Sequence, residues 1–91
     1  MKKAVFPGSF DPITRGHLNI LERRIPLFDE IVLAVGVNSA KNSMFSMEKR
    51  LRWLESVTAK FSNVTVETFE GLTSDFCTQK EAHWLIRGVR N

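Results

Sequence analysis

Hydrophobic residues along this chain fall into blocks whose spacing alternates between the pattern of strands and the pattern of helices. Short apolar runs predict strands, and they lie at 3–6, 30–37, 63–69 and 83–86. Apolar residues that recur every three or four positions predict helices, and these stretches lie at 16–28, 47–61 and 72–82. The first strand is expected to stop at Pro7 and Gly8, since both residue types commonly end a strand.

Residues that cap helices stand at the starts of the first two predicted helices. Thr14 precedes the first and Ser46 the second, and a hydroxyl there can accept a hydrogen bond from a free backbone N–H. Pro26 is expected to close or kink the last turn of the first helix, because proline has no N–H to donate. The second helix is expected to bury a stripe formed by Met47, Leu51, Leu54, Val57 and Phe61.

The resulting order is β-α-β-α-β-α-β. It predicts an α/β fold, a Rossmann-like open parallel sheet with helices on both faces. Sheets of this kind bind ligands beyond the carboxyl ends of their strands. Chemistry is therefore expected in the four segments that follow the strands, at 7–17, 38–43, 71–73 and 87–90.

Composition and charge narrow the class of protein. With 91 residues, 43% of them hydrophobic and 25% charged, the chain is expected to form a single globular domain over residues 1–91. The formal net charge of +3 is spread along the chain, which argues against a nucleic-acid partner. One cysteine, Cys77, excludes a disulfide framework and indicates a cytoplasmic protein. The longest apolar run, 31–37, is too short to span a membrane.

The loop after the first strand carries the strongest chemical signal. Gly8 permits a sharp turn, Ser9 offers a hydroxyl and an N–H, and Gly16 allows a phosphate to approach the helix. Free N–H groups and the positive end of the helix dipole form a ready anion site there. His17, in the first helical turn, can donate to a phosphate oxygen where charge develops. The alternative is that both glycines only form turns and that His17 is a surface cap.

Basic residues follow the second and fourth strands, where the sheet predicts a ligand. Lys41 can reach a phosphate across this edge, and Arg87 and Arg90, which flank Gly88, can clamp one. Ordinary solvated side chains are the alternative for all three. His83 is not expected to bind a ligand, because no Cys or His lies at metal-ligand spacing from it.

The first loop also resembles a known signature. Bacterial phosphopantetheine adenylyltransferases, which belong to the nucleotidyltransferase superfamily marked by (H/T)-x-G-H, carry a motif similar to Pro7-Gly8-Ser9-Phe10-Asp11-Pro12-Ile13-Thr14-Arg15-Gly16-His17. Later pieces match in the same order, namely Lys41, Asn63-Val64 and Leu85-Ile86-Arg87-Gly88-Val89-Arg90. The resemblance covers the whole chain, and relatives that use other substrates lack the Asp-Pro-Ile-Thr version of the loop.

The resemblance implies a role for each matching position. His17 would stabilise the transition state, with Lys41 and Arg90 as further catalytic residues. Contacts with the phosphorylated substrate are implied for Ser9, Lys41, Thr73 and Arg87. Contacts with ATP are implied for Ser9, Phe10, His17, Gly88, Val89 and Arg90.

The resemblance further implies a reaction and its partners. The phosphate of 4′-phosphopantetheine would attack the α-phosphate of ATP, and pyrophosphate would leave, without a protein nucleophile. Mg²⁺ would bridge the departing phosphates and be held mainly by substrate and water, since the sequence shows no carboxylate cage. Members of the family form homohexamers and continue with a fifth strand and a serine-rich ATP-binding motif, so this chain is expected to be the N-terminal part of such a protein.

Two alternatives to this interpretation stay open. One is a non-catalytic module that binds a nucleotide without turning it over. The other is a related nucleotidyltransferase, either a cytidylyltransferase or a nicotinamide mononucleotide adenylyltransferase, that acts on a different phosphorylated substrate.

Overall fold

The computed structural model describes residues 2–11, 13–37 and 45–86. Strands and helices alternate along these ranges as β1 (Lys3–Gly8), α1 (Arg15–Arg24), β2 (Glu30–Gly36), α2 (Met47–Thr58), β3 (Val64–Phe69), α3 (Thr73–Gln79) and β4 (Trp84–Leu85). A short 3₁₀ turn, Ile25–Leu27, follows α1 and contains Pro26, which confirms the predicted change in the last turn. The predicted β-α alternation is confirmed throughout the described residues.

The four strands form one parallel sheet in the order β3-β2-β1-β4. The chain winds outward from β1 to β3 and then returns to the other side of β1. The order therefore reverses between β1 and β4, and in open sheets such a reversal opens a crevice at the carboxyl ends of the strands. This topology makes the loop that follows β1 the best-placed segment for a ligand.

Both faces of the sheet are covered, as predicted. Alternate residues of the two central strands pack on opposite faces, and all of 31–35 in β2 is fully buried. Leu21 of α1 and Leu54 of α2 pack on one face with Phe6 and Leu33. Phe76 of α3 packs on the other face with Val5, Val32 and Ala34. No helix in the described ranges is both long and apolar enough to cross a bilayer.

The prediction that β1 stops at Pro7 is wrong, because the strand continues through Gly8. Pro7 pairs with Ala34 and Gly8 with Val35 in the β1–β2 ladder. In a parallel strand the backbone N–H and C=O groups of alternate residues point to the same neighbouring strand. The Val5 carbonyl oxygen points toward β4, since it accepts from the Ile86 N–H at 2.9 Å. The missing N–H of Pro7 therefore falls on the β4 side, beyond the two pairs that join β1 to β4, and no bond to β2 is lost.

Candidate functional site

The turn between β1 and α1 is tightly packed against itself. A Cβ added at Gly8 would lie 3.2 Å from two ring carbons of Phe10, so the absent side chain makes room for that ring. Phe10 has a φ of 45°, in the left-handed region that non-glycine residues rarely adopt. Such a conformation costs on the order of 1–3 kcal/mol and persists only where the surroundings hold it. The turn therefore depends on contacts made by its neighbours.

The ring of Phe10 supplies one of these contacts, because it lies against both the sheet and His17. Its centroid is 5.5 Å from that of Phe6 and 5.1 Å from that of His17, and both pairs are edge-to-face. Phe10 is only 2% exposed, so it offers almost no surface to a ligand in this conformation. Its predicted contact with ATP stays a prediction. What the structure adds is that Phe10 supports the imidazole from behind.

His17 completes the cap at the start of α1, which confirms the predicted capping role of Thr14. The Thr14 hydroxyl accepts from the His17 N–H at 3.3 Å, and the His17 Nδ1 accepts from the Thr14 N–H at 3.0 Å. An N–H can only donate, so Nδ1 has no proton and the neutral ring carries its proton on Nε2. Among the described residues, the hydrogen bonds of this ring all use Nδ1. The cap therefore leaves Nε2–H as the donor for a ligand.

Partial burial favours the neutral form of this imidazole. Desolvation lowers the pKa of His17 from its ordinary value, because a charged ring loses more hydration than a neutral one. Protonation at Nδ1 would also remove the acceptor of the Thr14 N–H. The two roles predicted for His17 from the sequence, cap and phosphate donor, are therefore compatible, since each uses a different ring nitrogen.

Two side-chain hydrogen bonds connect the loop after β1 to the start of α2. The Asp11 Oδ1 accepts from the Phe45 N–H at 2.8 Å. The Arg50 Nη1 donates to the Ser9 carbonyl oxygen at 2.8 Å, although Arg50 is only 1% exposed. These two bonds join residues that are 34 and 41 positions apart in the sequence. Within α2 itself, Ser46 caps the helix as predicted, through a 3.2 Å bond from the Lys49 N–H to its hydroxyl.

Arg50 is the residue at this site that sequence reasoning missed. It lies three residues after Met47 and four before Leu54, which is the spacing of the buried face of α2. The predicted stripe counted only apolar residues and therefore passed over it. The sequence did offer a signal, because Arg50 is a charged residue at a position on the buried face of α2.

The remaining predicted site residues are not brought together by the described part of the chain. Ser9 is exposed in the loop after β1, and Thr73 is the half-buried first residue of α3, after the outer strand β3. Their proposed ligand contacts stay predictions. The other candidates lie outside the described residues, and they are Lys41, Arg87, Gly88, Val89 and Arg90.

The described ranges hold no group of three or more His, Cys, Asp or Glu side chains arranged to bind a metal. Cys77 is a free thiol on α3. It packs against the core on the α3 face of the sheet, and burial raises its pKa. His83 lies beside Lys3 in a cavity of about 600 Å³. Lys3 is the first residue of β1 and His83 directly precedes β4, so this cavity faces the amino edge of the sheet, opposite the candidate site.

Known proteins resemble this chain in sequence and in fold. A family model described as cytidylyltransferase-like matches residues 5–91. The phosphopantetheine adenylyltransferases of Christiangramia forsetii and Flavobacterium johnsoniae are 57% and 55% identical to it over 91 residues. Each match covers 100% of this chain and 60% of the relative, so the chain spans about 60% of the length of these relatives. The resemblance seen in the motif of the first loop is thereby confirmed.

Solved structures share the fold at low identity. A lipopolysaccharide core biosynthesis protein from Thermoplasma volcanium matches with a TM-score of 0.68 at 20% identity, covering 93% of this chain and 72% of that one. A bifunctional NMN adenylyltransferase/ADP ribose pyrophosphatase from Francisella tularensis matches with a TM-score of 0.69 at 16% identity. This match covers 99% of this chain and 38% of that one. These matches confirm the Rossmann-like architecture.

Proposed function

Since this chain belongs to the cytidylyltransferase-like family, we propose that it forms the nucleotide-binding half of an enzyme that transfers an adenylyl group from ATP to 4′-phosphopantetheine. The products are dephospho-CoA and pyrophosphate. The choice of substrate is supported by relatives of that name at 49% to 57% identity, among them one from Streptomyces coelicolor. A cytoplasmic location and a homohexameric assembly are part of the same proposal.

The observation that carries the proposal is that the two nitrogens of the His17 ring have different roles, one in the helix cap and one open to a ligand. Nδ1 accepts from the Thr14 N–H, and this fixes the proton on Nε2. The ring stands in the first turn of α1, beside the free N–H groups of a helix N-terminus, which favour an anion. A preorganised neutral donor at such a position suits a phosphate oxygen that gains charge during the reaction.

The reaction needs orientation more than acid–base chemistry. An oxygen of the 4′-phosphate attacks the α-phosphorus of ATP, and the bond from this phosphorus to the bridging oxygen breaks as pyrophosphate leaves. His17 donates to the phosphate that carries the developing charge. Ser9 and the helix N–H groups orient the nucleotide. The proposed contacts from other parts of the chain are Lys41, Thr73, Arg87 and the stretch Gly88, Val89, Arg90.

The described residues of this site offer no group of side chains that could hold a metal by themselves. Asp11 accepts from the Phe45 N–H, and no acidic cluster accompanies it in the described ranges. Mg²⁺ is proposed to reach the site bound to the phosphates of ATP and to water, where it would offset charge on the departing pyrophosphate.

The test is pyrophosphate release by the purified full-length protein. We expect turnover with ATP and 4′-phosphopantetheine, and rates lower by at least about tenfold when CTP replaces ATP or nicotinamide mononucleotide replaces the acceptor. Tight ATP binding without turnover would instead identify a non-catalytic module. Preference for CTP, or for the alternative acceptor, would reassign the protein to another nucleotidyltransferase.

A further inference from the structure

Arg50 is a fully buried arginine that donates to a backbone carbonyl in the loop after β1. Its side chain leaves α2 on the core-facing side, and Nη1 reaches the Ser9 carbonyl oxygen at 2.8 Å. Its Nε and Nη2 are also buried and have no hydrogen-bond partner among the described residues. Burying a guanidinium with two donor nitrogens that no described residue satisfies is costly, so stability alone is a poor reason for an arginine here.

The contact of Arg50 falls at the most constrained point of the loop. Ser9 directly precedes Phe10, whose φ of 45° requires support from its surroundings. The bond from the Phe45 N–H to Asp11 holds the residue on the other side of Phe10. The two tethers therefore bracket Phe10, and both originate at the start of α2.

The position of His17 depends on this bracketed turn. The Phe10 ring lies 5.1 Å from the imidazole, centroid to centroid, and also contacts Phe6 in the sheet. If the Ser9–Phe10 peptide rotates, the ring leaves its place and the imidazole loses its support. Displacing a reacting group by about 1 Å can cost about 10²-fold in rate.

We propose that Arg50 is a positioning residue, which holds the Ser9 carbonyl and thereby fixes the turn in the conformation that sets His17 for its ligand. The catalytic part of this inference rests on the proposed function. The mechanical part, a tether from α2 to the loop, does not.

Two variants of the full-length protein test the tether. Arg50→Met fills a similar volume but removes every donor, whereas Arg50→Lys keeps the charge and an N–H donor. Arg52→Gln is the matched control, because Arg52 lies on the same helix, is exposed, and pairs with Glu48 on the surface at 3.0 Å. Hydrogen–deuterium exchange of the peptide covering residues 7–11 reports on the loop without substrate, and thermal melting reports on folding.

We expect Arg50→Met to melt cooperatively, to exchange the amides of residues 8–11 about tenfold faster or more, and to lose turnover by about 10²-fold with a smaller change in KM for ATP. Arg50→Lys should lie between this variant and the wild type in both exchange and turnover, and Arg52→Gln should match the wild type.

Three results would overturn the inference. They are unchanged exchange in both Arg50 variants, a loss of turnover that only follows the unfolded fraction, and failure of both variants to fold, which would assign Arg50 to the core alone. If the wild type releases no pyrophosphate, the proposed function fails, while the exchange of residues 7–11 still decides whether the tether exists.

Discussion

At the scale of single residues, His17 performs two tasks that different substitutions separate. An alanine removes both ring nitrogens, whereas an asparagine keeps an acceptor oxygen on Cγ, close to where Nδ1 stands. His17→Asn should therefore retain the bond from the Thr14 N–H and lose only the Nε2 donor. The comparison of the two variants assigns each ring nitrogen its role.

We expect His17→Ala and His17→Asn to reduce turnover alike, by about 10²–10³-fold, which is the usual loss when one preorganised donor is removed. Stability should distinguish them. His17→Ala should lower the free energy of unfolding by about 1 kcal/mol through the lost cap, and His17→Asn by much less. Steady-state kinetics and chemical denaturation measure both quantities. Full turnover in His17→Asn would show that Nε2 is dispensable and that the residue is a cap.

Residue types alone were enough to locate the caps. Thr14 and Ser46 were predicted to cap their helices because hydroxyl groups preceding an amphipathic stretch commonly do so, and both accept the expected N–H. The bond that the Thr14 N–H donates to the His17 ring was not specified, since the sequence signature of a reciprocal cap has Glu or Gln at that position. An imidazole can replace the carboxylate only because its Nδ1 is free to accept.

At the scale of elements, the end of β1 and the loop after it are fitted to each other through Gly8. A Cβ there would lie 3.2 Å from the Phe10 ring, which is itself wedged between Phe6 and His17 and cannot retreat. At the end of the neighbouring strand β2, a Cβ on Gly36 would lie 3.7 Å from the Phe69 ring, an ordinary contact. The two glycines form a matched pair at the same edge of the sheet.

We expect Gly8→Ala to destabilise the protein by about 1–3 kcal/mol, as overpacking does, and also to lower turnover because His17 moves with Phe10. Gly36→Ala should change stability by no more than about 0.5 kcal/mol and leave turnover intact. Denaturation midpoints and pyrophosphate release measure both effects. Equal behaviour of the two variants would contradict the fit between Gly8 and Phe10.

The order of elements was predictable from the sequence, while contacts between distant elements were not. Periodicity identified every strand and α-helix in the described residues. It could not show that Arg50 meets Ser9, because that contact spans 41 residues and depends on how α2 lies on the sheet. It also ended β1 too early, since the effect of a proline depends on which neighbour its missing N–H would face.

At the scale of the whole molecule, the sheet separates two cores with different relations to the site. The face covered by α1 and α2 contains Phe6 and Phe10 and continues into the loop that carries His17. The face covered by α3 contains Phe76 and lies across the sheet from that loop. Both Phe10 and Phe76 are buried, at 2% and 6% exposure, so truncating either one removes a comparable amount of packing.

Stability and nucleotide binding should therefore respond differently to the two truncations. Phe10→Ala and Phe76→Ala should each lower the free energy of unfolding by about 3–5 kcal/mol. A ligand that binds only the folded state adds stability set by its concentration and Kd, about 2.7 kcal/mol at about 100 times Kd. Phe76→Ala should keep this full increment with ATP, because distant sites act additively, whereas Phe10→Ala should lose most of it together with the support of His17. Thermal denaturation with and without ATP measures this increment for each variant. If both variants lost the ATP increment equally, the two faces of the sheet would not act independently on the site.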